Sequence, residues 1–297
     1  MRDYLIYHVD SFTDQPFSGN PAGVVPFAEG LTEEDMRKIA SEMNLSETAF
    51  LVPSQLDEAD YRICYYTPTC EIDFCGHATL AAAWVLAKEF DFLKQSTLLT
   101  FETNIGLVPM EFSDVEGQLS ITMTQLEPTS KEIPLNLAEL AEILGIDEKD
   151  IDIRYPVKAA HTGNWHLIVP MRTMKAIDLA VPNFLRLKEY NEEHSIITTH
   201  LFTLNTPKDE FFSYTRDFAP AVGVNEDPVT GSANGALAGY FLLEEIVETN
   251  SSFMIVQGNS MNRPGVTKIK TFLQDNKMRV KLGGQAVITI KGQVTLP

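Results

Sequence analysis

Apolar and polar positions recur along this chain in a way that divides it into two similar halves. Thr32 and Asp35 form a capping-box variant ahead of Met36, Ile39, Ala40 and Met43, which share one face at helical spacing. Asn44-Leu45-Ser46 ends that helix, Glu47 follows, and Thr48 to Val52 reads as a strand. A strand-like run from Tyr61 to Pro68 then precedes Phe74-Cys75-Gly76-His77-Ala78-Thr79-Leu80-Ala81, where a Gly and a His open a run of Ala and Leu. Roughly half a chain later the arrangement returns. Phe211 to Arg216 reads as a strand, and Val229-Thr230-Gly231-Ser232-Ala233-Asn234-Gly235-Ala236 opens a second apolar helix. A Gly-Asn pair introduces a strand in each half, Gly19-Asn20 before Ala22 to Val25 and Gly163-Asn164 before Trp165 to Val169. Turns after the Ala-rich helices fall at Asn104-Ile105-Gly106, Glu116-Gly117 and Asp275-Asn276.

Matching flanks favour an internal duplication over two unrelated Ala-rich helices. Each half reads as a strand-rich sheet with one central, wholly apolar helix, an α+β class. A chain of 297 residues exceeds what one core usually fills, so two domains are expected. The expected halves are residues 1–128 and 129–297, with a crossover of the final strand to the first half left open. A helix opening at Gly leaves its first N–H groups unpaired and presents a positive end, which favours an anion. With one such start from each half facing a cleft, Gly76, His77, Gly231 and Ser232 would supply donors to a substrate carboxylate.

Glu47, at a helix-to-strand junction between apolar runs, is a second candidate. Desolvation would raise its carboxyl from about 4.3 toward neutrality, as a proton-transfer group requires. On the bare residues the ordinary reading, a solvated loop Glu, stands first. The net charge of −18 argues against nucleic acid or an anionic membrane as partner. Three clustered Cys (Cys64, Cys70 and Cys75) fit reduced thiols better than a disulfide framework. The longest apolar run, Ala78 to Ala87, is far short of the roughly 20 residues of a membrane span, and Met1 to Tyr4 reads as the start of a strand. The expectation is a cytoplasmic protein.

Five motifs in order resemble the PhzF-like family, named for the phenazine-biosynthesis isomerase, within the diaminopimelate-epimerase fold superfamily. They are His8 to Thr13 with Phe17 to Val24, Ser46-Glu47-Thr48-Ala49-Phe50, Cys75-Gly76-His77-Ala78-Thr79, Glu226 to Ala233, and Gly283 to Val287. The resemblance implies two similar domains, each a curved, mostly antiparallel sheet around a central helix. It also implies a homodimer, no metal or organic cofactor, and a small carboxylate substrate of the dihydro-hydroxyanthranilate or amino-acid kind. Carried over by motif, it implies Glu47 as the proton-shuttling acid, with His77, Asp227 and Ser232 as its catalytic companions. Asn20, Gly76, Thr230 and Gly231 are the implied substrate contacts. Asn262 and Gly265 stand where the family more often has Gly and Ser, at the expected edge of the pocket.

Other chemistries are weighed against this. A symmetric two-thiol racemase is excluded, because no Cys follows position 75. Cys75 is read as a packing residue, and zinc on Cys64, Cys70, Cys75 and His77 would need unusual spacing. A Cys75–His77 pair is discounted because residues two apart on a helix do not face each other. His194 and His200 fall in a polar stretch and are expected to be solvated; His77 alone is singled out. The expected activity is a cofactor-independent proton-transfer isomerase. The alternative is a non-catalytic member that binds a metabolite or a protein.

Overall fold

The computed structural model describes residues 1–115 and 117–297; of the expected Glu116-Gly117 turn, Glu116 lies outside the described residues. The chain is mixed α/β, with eighteen strands and six α-helices among the described residues. It divides into two compact units, Met1–Met123 with Gly283–Pro297, and Thr124–Leu282.

The first unit contains β1 (Arg2–Ser11), β2 (Asn20–Val25), α1 (Glu33–Met43), β3 (Thr48–Val52), β4 (Tyr61–Tyr66), β5 (Glu71–Ile72), α2 (Gly76–Glu89), β6 (Leu98–Thr103) and β7 (Gly106–Val115). β8 (Gln118–Thr124) follows at its boundary. β1 pairs antiparallel with β2, β2 parallel with β3, β3 antiparallel with β4, β4 parallel with β6, and β6 antiparallel with β7. β5 lies antiparallel on β4.

Local chemistry accounts for the two helices. The Thr32 hydroxyl accepts from Asp35 N and the Asp35 carboxylate accepts from Thr32 N, both at 3.1 Å, closing the capping box. Asn44, in the left-handed region at φ 51°, stops α1. Met36, Ile39 and Ala40 pack with Val25, Phe50 and Tyr66. α2 is buried at every residue from His77 to Ala87 and packs on β1, β2 and β3, as its lack of a polar face requires. Gly19 turns the chain into β2 at φ +62°, and a Cβ there would lie 2.1 Å from the Ser11 carbonyl oxygen.

The second unit contains β9 (Thr129–Lys131), α3 (Leu137–Leu144), β10 (Lys158–His161), β11 (Trp165–Pro170), α4 (Met174–Asp178), α5 (Phe184–Glu193) and β12 (Thr198–Thr203). It continues with β13 (Ser213–Ala219), β14 (Val224–Asp227), α6 (Gly231–Leu243), β15 (Ser252–Gln257), β16 (Gly265–Gln274) and most of β17 (Lys277–Gly284). β10 pairs antiparallel with β11, β11 parallel with β12, β12 antiparallel with β13, β13 parallel with β15, and β15 antiparallel with β16. β14 lies antiparallel on β13. These are the senses of the first unit in the same order. α6 is buried on all sides and packs on β9, β10, β11 and β16. The final strand, β18 (Ala286–Leu296), lies in the first unit and pairs antiparallel along the whole of β1.

Two differences from the sequence reading stand out. α3 and α5, capped by Asn136 and Asn183, add helices to the second unit beyond the one expected, and their apolar faces enter its main core. The strand expected from Phe211 begins instead at Ser213, with Phe211 packed at the edge of that core.

Candidate active site

In the first unit, α1 ends at Asn44 and the chain turns into β3, leaving Glu47 at the junction. The Glu47 carbonyl accepts from Gly23 N at 3.0 Å, which anchors its backbone to β2. Its side chain is only 18% exposed, so this is not a solvated loop Glu. His77 is the second residue of α2, and its carbonyl accepts from the Ser11 hydroxyl at 2.8 Å. Buried on its helix, His77 directs Nε2 to 3.2 Å from Glu47 Oε2. Among the described residues no donor meets that buried oxygen with good hydrogen-bond geometry, so its contact with His77 is a close ion pair.

The expected direction of the Glu47 shift is reversed. Burial pushes its carboxyl up, but close pairing with His77, helped by Ser46 and Cys75, outweighs burial and holds it below the ordinary value. Burial would likewise lower His77, yet Cys75 and Glu47 hold its imidazole well above the ordinary value. Glu47 and His77 therefore form an ionised pair. Cys75 also departs from expectation. It is the extended residue before α2 (φ −144°, ψ 113°), so helical spacing does not apply, and its Sγ reaches 3.3 Å from His77 Nδ1. Burial and the neighbouring Glu47 carboxylate push this thiol up, against the pull of His77. The ligand atoms of Glu47, Cys75 and His77 lie within 4.8 Å of one another, a donor set able to hold a divalent cation. Cys64 and Cys70 do not join it.

In the second unit, Asp227 ends β14 and is half-buried, Pro228 breaks the strand, and Thr230 precedes α6. Gly258, at φ +90°, packs where a Cβ would lie 2.3 Å from the Arg263 carbonyl oxygen of the following turn and 2.6 Å from the Pro228 carbonyl oxygen. Ser232 lies partly exposed in the first turn of α6, next to buried Gly231. Neither α2 nor α6 carries a side-chain cap on its first turn. The Thr230 hydroxyl instead contacts Asp227 and Asp217. Asn20 is buried at the start of β2, and Gly76 is partly exposed at the start of α2.

Several polar residues around these positions escaped the sequence reading. His200, expected in solvent, is fully buried on β12 and faces Asp217 on β13 at 2.9 Å. Asn234 and Gln257 are also fully buried and hydrogen-bonded to each other at 2.9 Å. Asn234 had a readable signal, being the amide in an otherwise apolar helix. His200 and Asp217 had none, because strand pairing alone brings them together.

The model of the phenazine biosynthesis-like protein family matches residues 9–292. The chain belongs to the PhzF family. Relatives from Clostridium acetobutylicum (32% identical, covering 100% of this chain and 99% of the relative) and Escherichia coli (34%, 95% of each) are both named uncharacterized isomerases. A crystal structure of a Bacillus anthracis PhzF-family protein superposes with a TM-score of 0.92 at 31% identity, covering 100% of both chains. A hydroxyproline epimerase from Agrobacterium vitis shares the fold alone, with a TM-score of 0.67 at 12% identity over 99% of this chain and 91% of its own. The family resemblance read from the motifs is thus confirmed, and the chain is an isomerase of the PhzF family.

Proposed function

We propose that this isomerase moves a proton between two positions of a small carboxylic acid, with Glu47 as the group that takes and returns it. The observation that carries the reading is the Glu47–His77 pair. A carboxylate mostly shielded from water and held in its ionised form lies 3.2 Å from an imidazole held in its protonated form. That arrangement suits a base that must be present at neutral pH, while the imidazolium stabilises whichever partner becomes negative. Asp227 and Ser232 are proposed as the second unit's contributions to the reaction, with Asn20, Gly76 and Gly231 as substrate contacts. The uncapped first turns of α2 and α6 support binding of a carboxylate. The identical order and sense of strand pairings in the two units supports an internal duplication, each unit an epimerase-like half around a central helix. From the family resemblance, the protein is further proposed to be a cytoplasmic homodimer.

The test is incubation of the protein with a panel of small carboxylic acids, cyclic and amino-acid-like, in heavy water. Solvent deuterium should appear at carbon in at least one acid, seen by proton NMR and mass spectrometry. Failure of the whole panel to exchange, with clean saturable binding of one member, would favour a non-catalytic binder instead.

A further inference from the structure

The segment Asp227-Pro228-Val229-Thr230 joins β14 to α6 inside the second unit. Pro228 can donate no main-chain hydrogen bond, and a helix start leaves its first N–H groups without partners of their own. A loop of this kind takes its conformation from whatever meets its main chain.

One side chain meets both of its ends. Gln257 is the last residue of β15, lies opposite Thr215 of β13 and is fully buried. Its Oε1 accepts from Thr230 N at 3.1 Å. Its Nε2 donates to the Asp227 carbonyl at 2.9 Å and to the Thr230 hydroxyl oxygen at 3.2 Å.

The direction of this amide follows from its main-chain partners. A main-chain N–H only donates, so oxygen faces Thr230 N; a carbonyl only accepts, so nitrogen faces Asp227. Turning the amide over would set nitrogen against an N–H and oxygen against a carbonyl in a site closed to water. Asn234 of α6, also fully buried, reinforces the choice by donating from Nδ2 to the same Gln257 oxygen at 2.9 Å. Asn234 is directed in turn by His200, whose Nε2 lies 3.2 Å from Asn234 Oδ1. Both lone pairs and both hydrogens of the Gln257 amide are therefore used, two of them on the main chain of one short loop.

We propose that Gln257 is a positioning residue of the reaction: by bridging the Asp227 carbonyl and the Thr230 N–H it fixes the loop and, through it, the Asp227 carboxyl. Asn234 sets the direction of Gln257. The proposal rests on the reading of Asp227 as a contributor to the reaction, and Glu47 remains the group that both takes and returns the proton. Reacting groups are effective when bonds behind them hold them to a fraction of an ångström, and a displacement of about 1 Å costs on the order of 10²-fold in rate.

The experiment uses the full chain, with exchange of the Thr230 amide hydrogen followed by NMR and turnover measured on an acid that incorporates deuterium, well below the melting temperature. Gln257→Met keeps the length of the side chain and removes all its hydrogen bonds. The Thr230 amide should then exchange at least about tenfold faster, and kcat should fall by roughly 10²-fold. Gln257→Glu keeps the accepting end and loses at least one donated bond, so it should lower kcat while the Thr230 amide stays protected. In an Asp227→Asn background either change should lower kcat by less than about threefold, because the group being positioned is already gone. Unchanged Thr230 exchange in Gln257→Met overturns the bridge. A lowered melting temperature with kcat within a few-fold of wild type makes Gln257 structural only. Losses that multiply with that of Asp227→Asn show that Asp227 is not the group positioned, and the proposal fails. If Gln257→Met does not fold, Gln257→Glu, alone and with Asp227→Asn, decides on the same terms. If no acid turns over, the reading of the site fails and the positioning role with it, whereas Thr230 exchange still reports on the bridge itself.

Discussion

Replacing Glu47 by Gln removes a charge and a base while keeping shape and one acceptor oxygen. A positioned acid–base group contributes roughly 10²–10⁴-fold, and turnover should fall by that factor. The same change should also cost stability, because Glu47 pairs with a His77 that is only 8% exposed. Stranding a buried charge costs about 3–5 kcal/mol. His77 can escape by losing its proton and Gln still offers an oxygen, so about 1–3 kcal/mol is expected, in the range of an unmet buried polar group. The assay is solvent-deuterium incorporation into whichever acid exchanges, with thermal melts of both proteins alongside. In the wild type the acid limb of the pH–rate profile should lie below the ordinary carboxylate range, because pairing with His77 lowers Glu47. Glu47→Gln should abolish that limb. Turnover within a few-fold of wild type would refute the assignment; a normal rate with an acid limb raised toward neutrality would refute the ionised pair.

The other predictions follow from individual positions. Asp227→Asn should reduce turnover by at least about 10²-fold with little change in the melting curve, since a half-buried strand-end carboxyl is being replaced by its isostere; a silent variant makes Asp227 only a turn residue. Burial depresses His166 to about 4 from an ordinary 6.5, so the unfolded chain binds the extra proton between those values. Stability from this group is fully present above 6.5 and lost as pH falls toward 4, on the order of 3 kcal/mol, and denaturant melts across that window should show the slope. Gly19→Ala should lower stability by about 1–3 kcal/mol or more, because a side chain at φ +62° is strained and would meet the Ser11 carbonyl; an unchanged melting temperature contradicts that geometry.

What the sequence determined by itself was local. The Thr32–Asp35 capping box, the stop at Asn44, the β3 boundaries, the start of β4 and the helix starts at Gly76 and Gly231 depend on neighbours a few residues apart, and each was readable there. The Asn136 cap with Leu140, Ala141, Leu144 and Gly145 behind it carried an equally local signal, and α3 could have been read from it. Tertiary structure decided what depends on distant partners. Glu47 looked like an acid that burial would raise, but an imidazole thirty positions away, brought to 3.2 Å, reverses the sign by pairing with the charged form. His200 sits in a polar stretch whose residues belong in water as single letters. On β12 His200 faces Asp217 and Asn234, and its burial is tolerated because each ring nitrogen finds a counterpart there. Likewise β18 completes the first unit from the far end of the sequence. Caps and periodicity are written in neighbouring residues, whereas the protonation of a carboxyl depends on whatever the fold places within a few ångströms of it.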